Sequence, residues 1–352
     1  MSRIAVVDND RCQPKKCTQE CIRFCPLVRT GKRAIYFDEN IKKPIITDLC
    51  TACGICIKKC PFDAITIINT PAELEGECIH QYGPSGFKLF RLPLLRPGKV
   101  IGIIGQNALG KTTIAKILSG EIRPNLCTGN SSETAIIQYF KGTEMQSYME
   151  RLYGKGLKVV HKTQYIETIP MYVKGKVREV LARIKSDESA LNQVMNKLNL
   201  LHLGDRLLSE LSGGELQRVA IAAALLRQAD VYVFDEPMAY LDVEQRMRIA
   251  HVLLKTITEK ESLAFVVEHD ITMMDRVSTA AMVFHGEPGK SGAAEPPADL
   301  RTSMNAFLKM QDMTFRRDSS TGRPRFNKKG SVLDRTQRDM GEYYYFIEGN
   351  QQ

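Results

Sequence analysis

Eight of the ten cysteines fall within the first 60 residues, in two blocks of four. The second block, Cys50-x2-Cys53-x2-Cys56-x3-Cys60-Pro61, has the C-x2-C-x2-C-x3-C-P spacing, in which three thiolates wrap one four-iron cubane and the fourth reaches a second cluster. The first block, Cys12-x4-Cys17-x3-Cys21-x3-Cys25-Pro26, is looser but ends in the same Cys-Pro pair. That exchange of fourth ligands assigns Cys50, Cys53, Cys56 and Cys25 to one [4Fe–4S] cluster and Cys12, Cys17, Cys21 and Cys60 to the other. Disulfides would require an oxidising compartment, and Met1 to Val7 has no apolar signal core. Structural zinc is the other alternative, and it rarely uses two quartets that each end in Cys-Pro. Cys78 and Cys127 stand outside both blocks and read as small buried or surface residues.

A second chemistry begins at Lys99. The apolar run Val100 to Ile104 leads into Gly105-Gln106-Asn107-Ala108-Leu109-Gly110-Lys111-Thr112-Thr113 and then the amphipathic stretch Ile114 to Leu118. Strand, glycine loop and helix in that order form a phosphate cradle: loop N–H groups curl around the phosphates, Lys111 adds a point charge and Thr112 can hold Mg2+. A later apolar strand, Val231 to Phe234, delivers Asp235 to the Mg2+ shell and Glu236 beside it as a base that polarises an attacking water. Between them, Leu211-Ser212-Gly213-Gly214-Glu215-Leu216-Gln217 precedes an Ala-rich helix over Arg218 to Leu226, whose N-terminus would attract an anion. Read alone, that string is a turn with an N-cap.

These residues must be held by two kinds of element. Short strands at Ile4 to Asp8, Ala34 to Phe37 and Ala64 to Ile68 frame the cysteines as an α+β, ferredoxin-like two-cluster domain over residues 1–73, which depends on its metals to fold. Buried strands alternating with helices over residues 74–300 predict an α/β P-loop nucleotide-binding domain. The remainder, 301–352, is basic, and Gly286 to Pro297 before it reads as a loop. Residues 1–60 and 301–340 each carry a net charge of +6, out of +9 for the whole chain. Basic surface at both ends suits a large polyanion better than one small anionic substrate. The longest apolar run, Val219 to Leu226, is far short of the roughly 20 residues of a membrane helix, so no membrane partner is expected.

The order P-loop, Gln164, Leu-Ser-Gly-Gly, Asp235-Glu236, Leu241-Asp242 and His269 after a strand (Leu263 to Val267) resembles the ATP-binding-cassette proteins. Cluster blocks in front of a cassette narrow the likeness to the ABC-E family, the RNase L inhibitor proteins of ribosome recycling. It extends through Asp10-x-Cys12-x-Pro14-Lys15-Lys16-Cys17, Tyr82-Gly83-Pro84 with Phe87-Lys88-Leu89, Arg91-Leu92-Pro93, Pro124-Asn125-Leu126, Tyr240-Leu241-Asp242 and Val267-Glu268-His269-Asp270. The resemblance implies that Tyr82 and Phe87 pack on adenine and that Gly105, Asn107, Gly110, Lys111, Thr112 and Thr113 hold ATP. It implies that Thr112, Gln164 and Asp235 surround Mg2+ and that Glu236, His269 and Gln164 serve hydrolysis. Ser212, Gly213 and Gly214, with Asp242 in the D-loop, would act in trans on the nucleotide of a facing cassette. Near 131–156 it implies a helix-loop-helix insertion facing ribosomal RNA, and over Arg316 to Arg338 a hinge. The partners implied are the ribosomal small subunit, translation termination and initiation factors, and a second nucleotide-binding domain, in the cytoplasm with the nucleus as a further location.

The sequence departs from the family pattern in three places. Ala108 stands where glycine is usual, and Met238-Ala239 replace small hydroxyl residues. Met340-Gly341-Glu342-Tyr343 looks like the opening of a second cassette whose P-loop, Ser-Gly-Gly and Asp-Glu strings do not follow. The expected protein is therefore an ATPase that needs a second cassette in trans. The competing readings are a non-hydrolysing ribosome-bound clamp, a transporter ATPase subunit and a redox-coupled ATP enzyme.

Overall fold

A computed structural model of the chain describes residues 2–7, 11–39, 42–47, 49–51, 53–70, 78–83, 86–92, 98–129, 131–317 and 324–345. Asp8, Pro84, Pro93 and the 73/74 boundary expected above lie outside the described residues, as does part of the basic stretch after Arg317.

In the front domain the chain runs β1 (Ser2–Val7), a 3-10 turn (Pro14–Lys16), α1 (Glu20–Arg23), α2 (Pro26–Arg29), β2 (Ile35–Asp38), β3 (Lys43–Ile46), α3 (Ile55–Lys59) and β4 (Ile65–Thr70). β1 pairs antiparallel with β4, and β2 with β3, giving two separate two-stranded ribbons. Their side chains close on the cysteines: the buried cluster is Ala5, Val7, Ala34, Ile35, Ile46 and Ile65 with Cys21, Cys25 and Cys56. Pro26 opens α2 at the first helical position, where a missing N–H costs nothing.

The second body is a nine-stranded sheet with helices on both faces. Its elements are β5 (Cys78–Gln81), β6 (Lys88–Phe90), β7 (Val100–Gly105), α4 (Lys111–Leu118), α5 (Glu133–Tyr139), α6 (Glu144–Tyr153), β8 (Val159–Lys162), α7 (Ile169–Tyr172), α8 (Val177–Ile184), α9 (Glu188–Lys197), α10 (Gly213–Leu226), β9 (Val231–Asp235), α11 (Val243–Glu259), β10 (Leu263–Val267), α12 (Ile271–Val277), β11 (Ala280–Glu287), β12 (Ser291–Ala294), β13 (Ala298–Asp299) and α13 (Leu300–Met310). The strand order is β5-β6-β12-β11-β7-β10-β9-β8, with β13 beside β11. The run β11-β7-β10-β9-β8 is parallel, and β7, β9 and β10 are buried along their whole length, as continuous apolar strands in a two-sided sheet should be. Register places Asp235 beside Val267 and Val267 beside Ile103, so three strand ends open on one edge. In an open α/β sheet that carboxyl edge is where ligands sit.

Two local expectations change. Gly286 to Pro297 is not a loop, because Ser291–Ala294 forms β12 between β11 and β6. The small residues that suggested a loop are what fit there: a Cβ on Gly292 would stand 1.9 Å from the Leu109 carbonyl oxygen. Cys78 and Cys127 are joined as a disulfide, with Cα atoms 6.0 Å apart.

After α13, a small sheet combines β14 (Phe315–Arg317), β15 (Pro324–Phe326) and β16 (Tyr344–Tyr345) in the order β15-β14-β16, with α14 (Val332–Asp339) between the last two in sequence. Tyr344 is buried, stacks on Phe315 with centroids 5.5 Å apart, and donates its hydroxyl to the Asp275 carboxylate on α12. No helix among the described residues is long and apolar enough to cross a membrane.

Candidate nucleotide site and cysteine quartets

The P-loop follows β7 directly. Gly110 takes a left-handed backbone (φ +90°) at the N-cap of α4, and the phenyl ring of Phe87 occupies the space where its Cβ would be. Ala108 also has positive φ, +60°, so the substitution places a Cβ in the region glycine normally serves. The Ala108 carbonyl accepts from Gly289 N–H at 2.8 Å, which ties the loop to the β11–β12 turn.

One cavity gathers Tyr82, Phe87, Asn107, Ala108, Gly110, Lys111, Thr112, Thr113, Gln164, Glu236, His269 and Gly289. Most of the expected nucleotide residues therefore converge from strands far apart in sequence. Tyr82 lies at one end, 45% exposed, its hydroxyl 3.3 Å from Thr113 Oγ1. Gly105 contributes its carbonyl: Lys111 Nζ donates to Gly105 O at 2.7 Å and to Gln106 O at 2.6 Å. The ammonium thus lies across its own loop, and burial lowers its pKa to about 8 despite Glu236 and Asp235 nearby.

Asp235 ends β9, buried, and burial raises its pKa against a hydrogen bond from Thr112. Its Oδ1 has no hydrogen-bond partner. A buried acidic oxygen left open beside a threonine hydroxyl is the donor set that Mg2+ takes, since that ion keeps several waters and few protein ligands. Glu236 reaches the cavity from a left-handed residue (φ +47°), and its Oε1 is 2.7 Å from His269 Nε2.

Three residues to which the sequence assigned no role hold this segment. Lys162, buried on β8, donates to Asp235 O at 3.0 Å and Glu236 O at 3.3 Å. Gln217 on α10 donates Nε2 to Glu236 O at 2.9 Å. Glu268 accepts from Met238 N–H at 2.8 Å, and burial pushes its carboxyl up to about 7. Their partners are backbone atoms 19 to 74 residues away, a relation that leaves no local pattern.

The structure does not bring Ser212, Gly213, Gly214 or Asp242 into the cavity. Ser212 caps α10, with Glu215 reaching back to its N–H at 2.8 Å, and Asp242 caps α11 by accepting from Gln245 N–H at 2.8 Å. Tyr240 lies over Gly213, and its hydroxyl bonds Glu167 just beyond Gln164.

In the front domain the cysteines line two separate cavities. Cys12, Cys17, Cys21 and Cys60 line one small cavity; Cys25, Cys50, Cys53 and Cys56 line another. Among the described residues no group of three or more His, Cys, Asp or Glu side chains is drawn together around a single metal ion. Burial, followed by repulsion from neighbouring thiolates, pushes the Cys21 thiol up to about 12 and the Cys56 thiol up to about 11. Thiolates there need a metal to hold them.

Family comparisons agree with both bodies. The profile "ABC transporter" matches residues 94–239, "Possible Fer4-like domain in RNase L inhibitor, RLI" matches 2–33, and "4Fe-4S binding domain" matches 43–66. An "Uncharacterized ABC transporter ATP-binding protein" of Methanocaldococcus jannaschii is 44% identical over 94% of this chain and 55% of its own length. "Translation initiation factor RLI1" of Saccharomyces cerevisiae is 42% identical over 87% of this chain and 52% of its own. A solved structure described as "Model of ribosome-bound archaeal Pelota and ABCE1" superposes with TM-score 0.54 and 30% identity, covering 98% of this chain and 99% of that one. Fold and site define an iron–sulfur domain followed by a P-loop ATP-binding cassette. The chain belongs to the ABC-E family, the RNase L inhibitor proteins. It spans about half the length of the curated relatives it matches.

Proposed function

We propose that this chain is the cluster-bearing first cassette of a ribosome-recycling ATPase, acting in the cytoplasm with a second cassette supplied in trans. The observation that carries the reading is the split of its functional residues. Tyr82, Phe87, the P-loop, Gln164, Glu236 and His269 share one cavity, while Ser212 to Gly214 lie outside it. Such a chain offers one half of each of two composite sites.

In this reading Tyr82 and Phe87 pack on adenine, and Lys111 leaves the Gly105 and Gln106 carbonyls for the β and γ phosphates. Asn107, Gly110 and Thr113 complete the cradle. Thr112, Asp235 and Gln164 hold Mg2+, which when bound neutralises developing phosphate charge. Glu236 orients the attacking water and His269 meets the γ phosphate. Ser212, Gly213, Gly214 and Asp242 meet the nucleotide of the facing cassette. The two cysteine quartets hold two [4Fe–4S] clusters, and closure of the cassettes carries that domain against the small subunit.

Support for the ribosome comes from the relatives, among them a translation initiation factor and a ribosome-bound assembly with Pelota. Near 131–156 the chain forms α5 and α6 joined by a short turn, which supports reading this stretch as the helix-loop-helix insertion. Sucrose gradients of ribosomes mixed with the holoprotein, ATP and a separately supplied second cassette test the proposal. ATP-dependent accumulation of free subunits is expected. Failure both to bind small subunits and to split ribosomes under those conditions would sink it.

A further inference from the structure

We propose that Cys78 and Cys127 form a reversible dithiol/disulfide site, open to low-molecular-weight disulfides of the glutathione type, that sets how firmly the chain holds nucleotide. The coupling to nucleotide rests on the reading of the Tyr82 to Thr113 cavity as an ATP site. Cys78 opens β5, and Cys127 lies in the loop beyond α4, where left-handed backbone at Leu126 and Cys127 (φ +49° and +56°) turns the chain back onto β5. The Cα separation of 6.0 Å lies within the range of native disulfides. The two sulfurs share a small apolar cluster with Phe90 and Ala293, separate from the buried cluster that contains the quartet cysteines.

The same loop is already stitched to β5 by backbone and amide contacts. Leu126 N–H donates to Ile79 O at 2.9 Å, Gln81 N–H donates to Asn125 Oδ1 at 2.9 Å, and Asn125 Nδ2 donates to Gln81 O at 2.7 Å. Those contacts end one residue before Tyr82. The sulfur bond closes the chain from 78 to 127, and the closed segment contains Tyr82, Phe87, the whole P-loop and Thr113. Both walls of the nucleotide cavity therefore gain or lose a restraint together when the bond forms or breaks.

Eight other cysteines in this chain must stay reduced to hold iron, so a disulfide here fits a pair that exchanges better than a fixed staple. Cys78 is 9% exposed and Cys127 is half-buried, so exchange starts at Cys127. Its thiolate attacks one sulfur of the external disulfide and releases one thiol. The Cys78 thiolate then attacks the Cys127 sulfur of the mixed disulfide and releases the second. One external S–S bond is replaced by one protein S–S bond. The two cysteines give up two electrons and two protons, which leave as the two thiols.

The test uses the iron-loaded holoprotein, held without oxygen in oxidised or reduced glutathione, then acid-quenched, unfolded, alkylated and mapped as peptides. Oxidised buffer is expected to give a cross-linked 78–127 peptide pair with the cluster absorbance unchanged, and reduced buffer to leave both residues open to alkylation. A fluorescent ATP analogue is expected to bind the oxidised form about three- to tenfold more tightly. Cys127→Ser should bind as the reduced form does in either buffer, with Cys78→Ala as a second variant at the buried end. Two alkylated cysteines after oxidised buffer, or equal affinity in the two states, would overturn the proposal. No binding in either state would overturn the ATP reading and the coupling with it, while the peptide map still decides the sulfur pair.

Discussion

Glu236 is held at every polar group it has. Its N–H donates to Val267 O, its carbonyl accepts from Lys162 and Gln217, its carboxylate meets His269, and its backbone is left-handed. Glu236→Gln keeps this scaffold and removes the base, so ATP affinity should persist while turnover falls about 10²- to 10⁴-fold in an assay with the second cassette supplied. Ala108→Gly should relieve a left-handed alanine, and thermal denaturation should show it neutral or stabilising by about 1 kcal/mol, with ATP affinity retained. Glu268 gives a pH signature. Its folded pKa of about 7 lies above the ordinary carboxyl value of 4.5, so its contribution to stability is full below 4.5 and is lost as pH rises through 7. Glu268→Gln should therefore gain on the wild type as pH rises from 5.5 to 8.5, by on the order of 1–3 kcal/mol, read from melting temperatures at each pH. The P-loop residues and Glu236 were legible in the sequence because phosphate chemistry needs them in fixed local strings, whereas Tyr82, Phe87, Gln164 and His269 came only through the family resemblance. Lys162, Gln217 and Glu268 were not legible, since what they touch is set by the sheet's register rather than by neighbours in the chain.

At the scale of elements, the apolar runs gave β7, β9 and β10 almost to the residue, because a strand buried on both faces has no polar positions to blur it. β12 was hidden by its small residues, which read as a loop until a neighbouring strand is in place, and β3 was not anticipated. The helix after Ser212 starts at Gly213 rather than Arg218, because a capping box compensates for two glycines in the first turn. Ser212→Ala should lower cassette stability by about 1 kcal/mol in chemical denaturation, a loss separate from any effect on the facing nucleotide. Gly292→Val would drive a side chain into the Leu109 carbonyl. That variant should lose ATP affinity at least tenfold in equilibrium titration while β7, β9 and β10 keep their fold, since β12 props the P-loop from behind.

Across the whole molecule, the two bodies are stabilised by different means. The cassette has two large apolar clusters on opposite faces of its sheet. The front domain has a handful of aliphatic side chains wrapped on sulfur, too few to offset the chain entropy of some 70 residues without metal. Iron chelation should make the front domain sensitive to protease while a cassette fragment persists on the gel; a front domain that stayed resistant after losing its iron would contradict this account. The tail adds a mechanical link. α12 carries Asp270 at its N-cap, one residue after His269, and Asp275 near its other end, gripped by Tyr344 of β16. Seven residues of helix are a strut about 10 Å long, with the proposed γ-phosphate sensor at one end and the tail strand at the other. Load applied through Tyr344, by a tether or by a domain pulling on that strand, would reach the phosphate end along this strut as well as through Ile104 of β7, which shares its buried cluster. In a force experiment, nucleotide release should therefore accelerate under tension on the tail, and Tyr344→Phe should blunt the response by removing the grip.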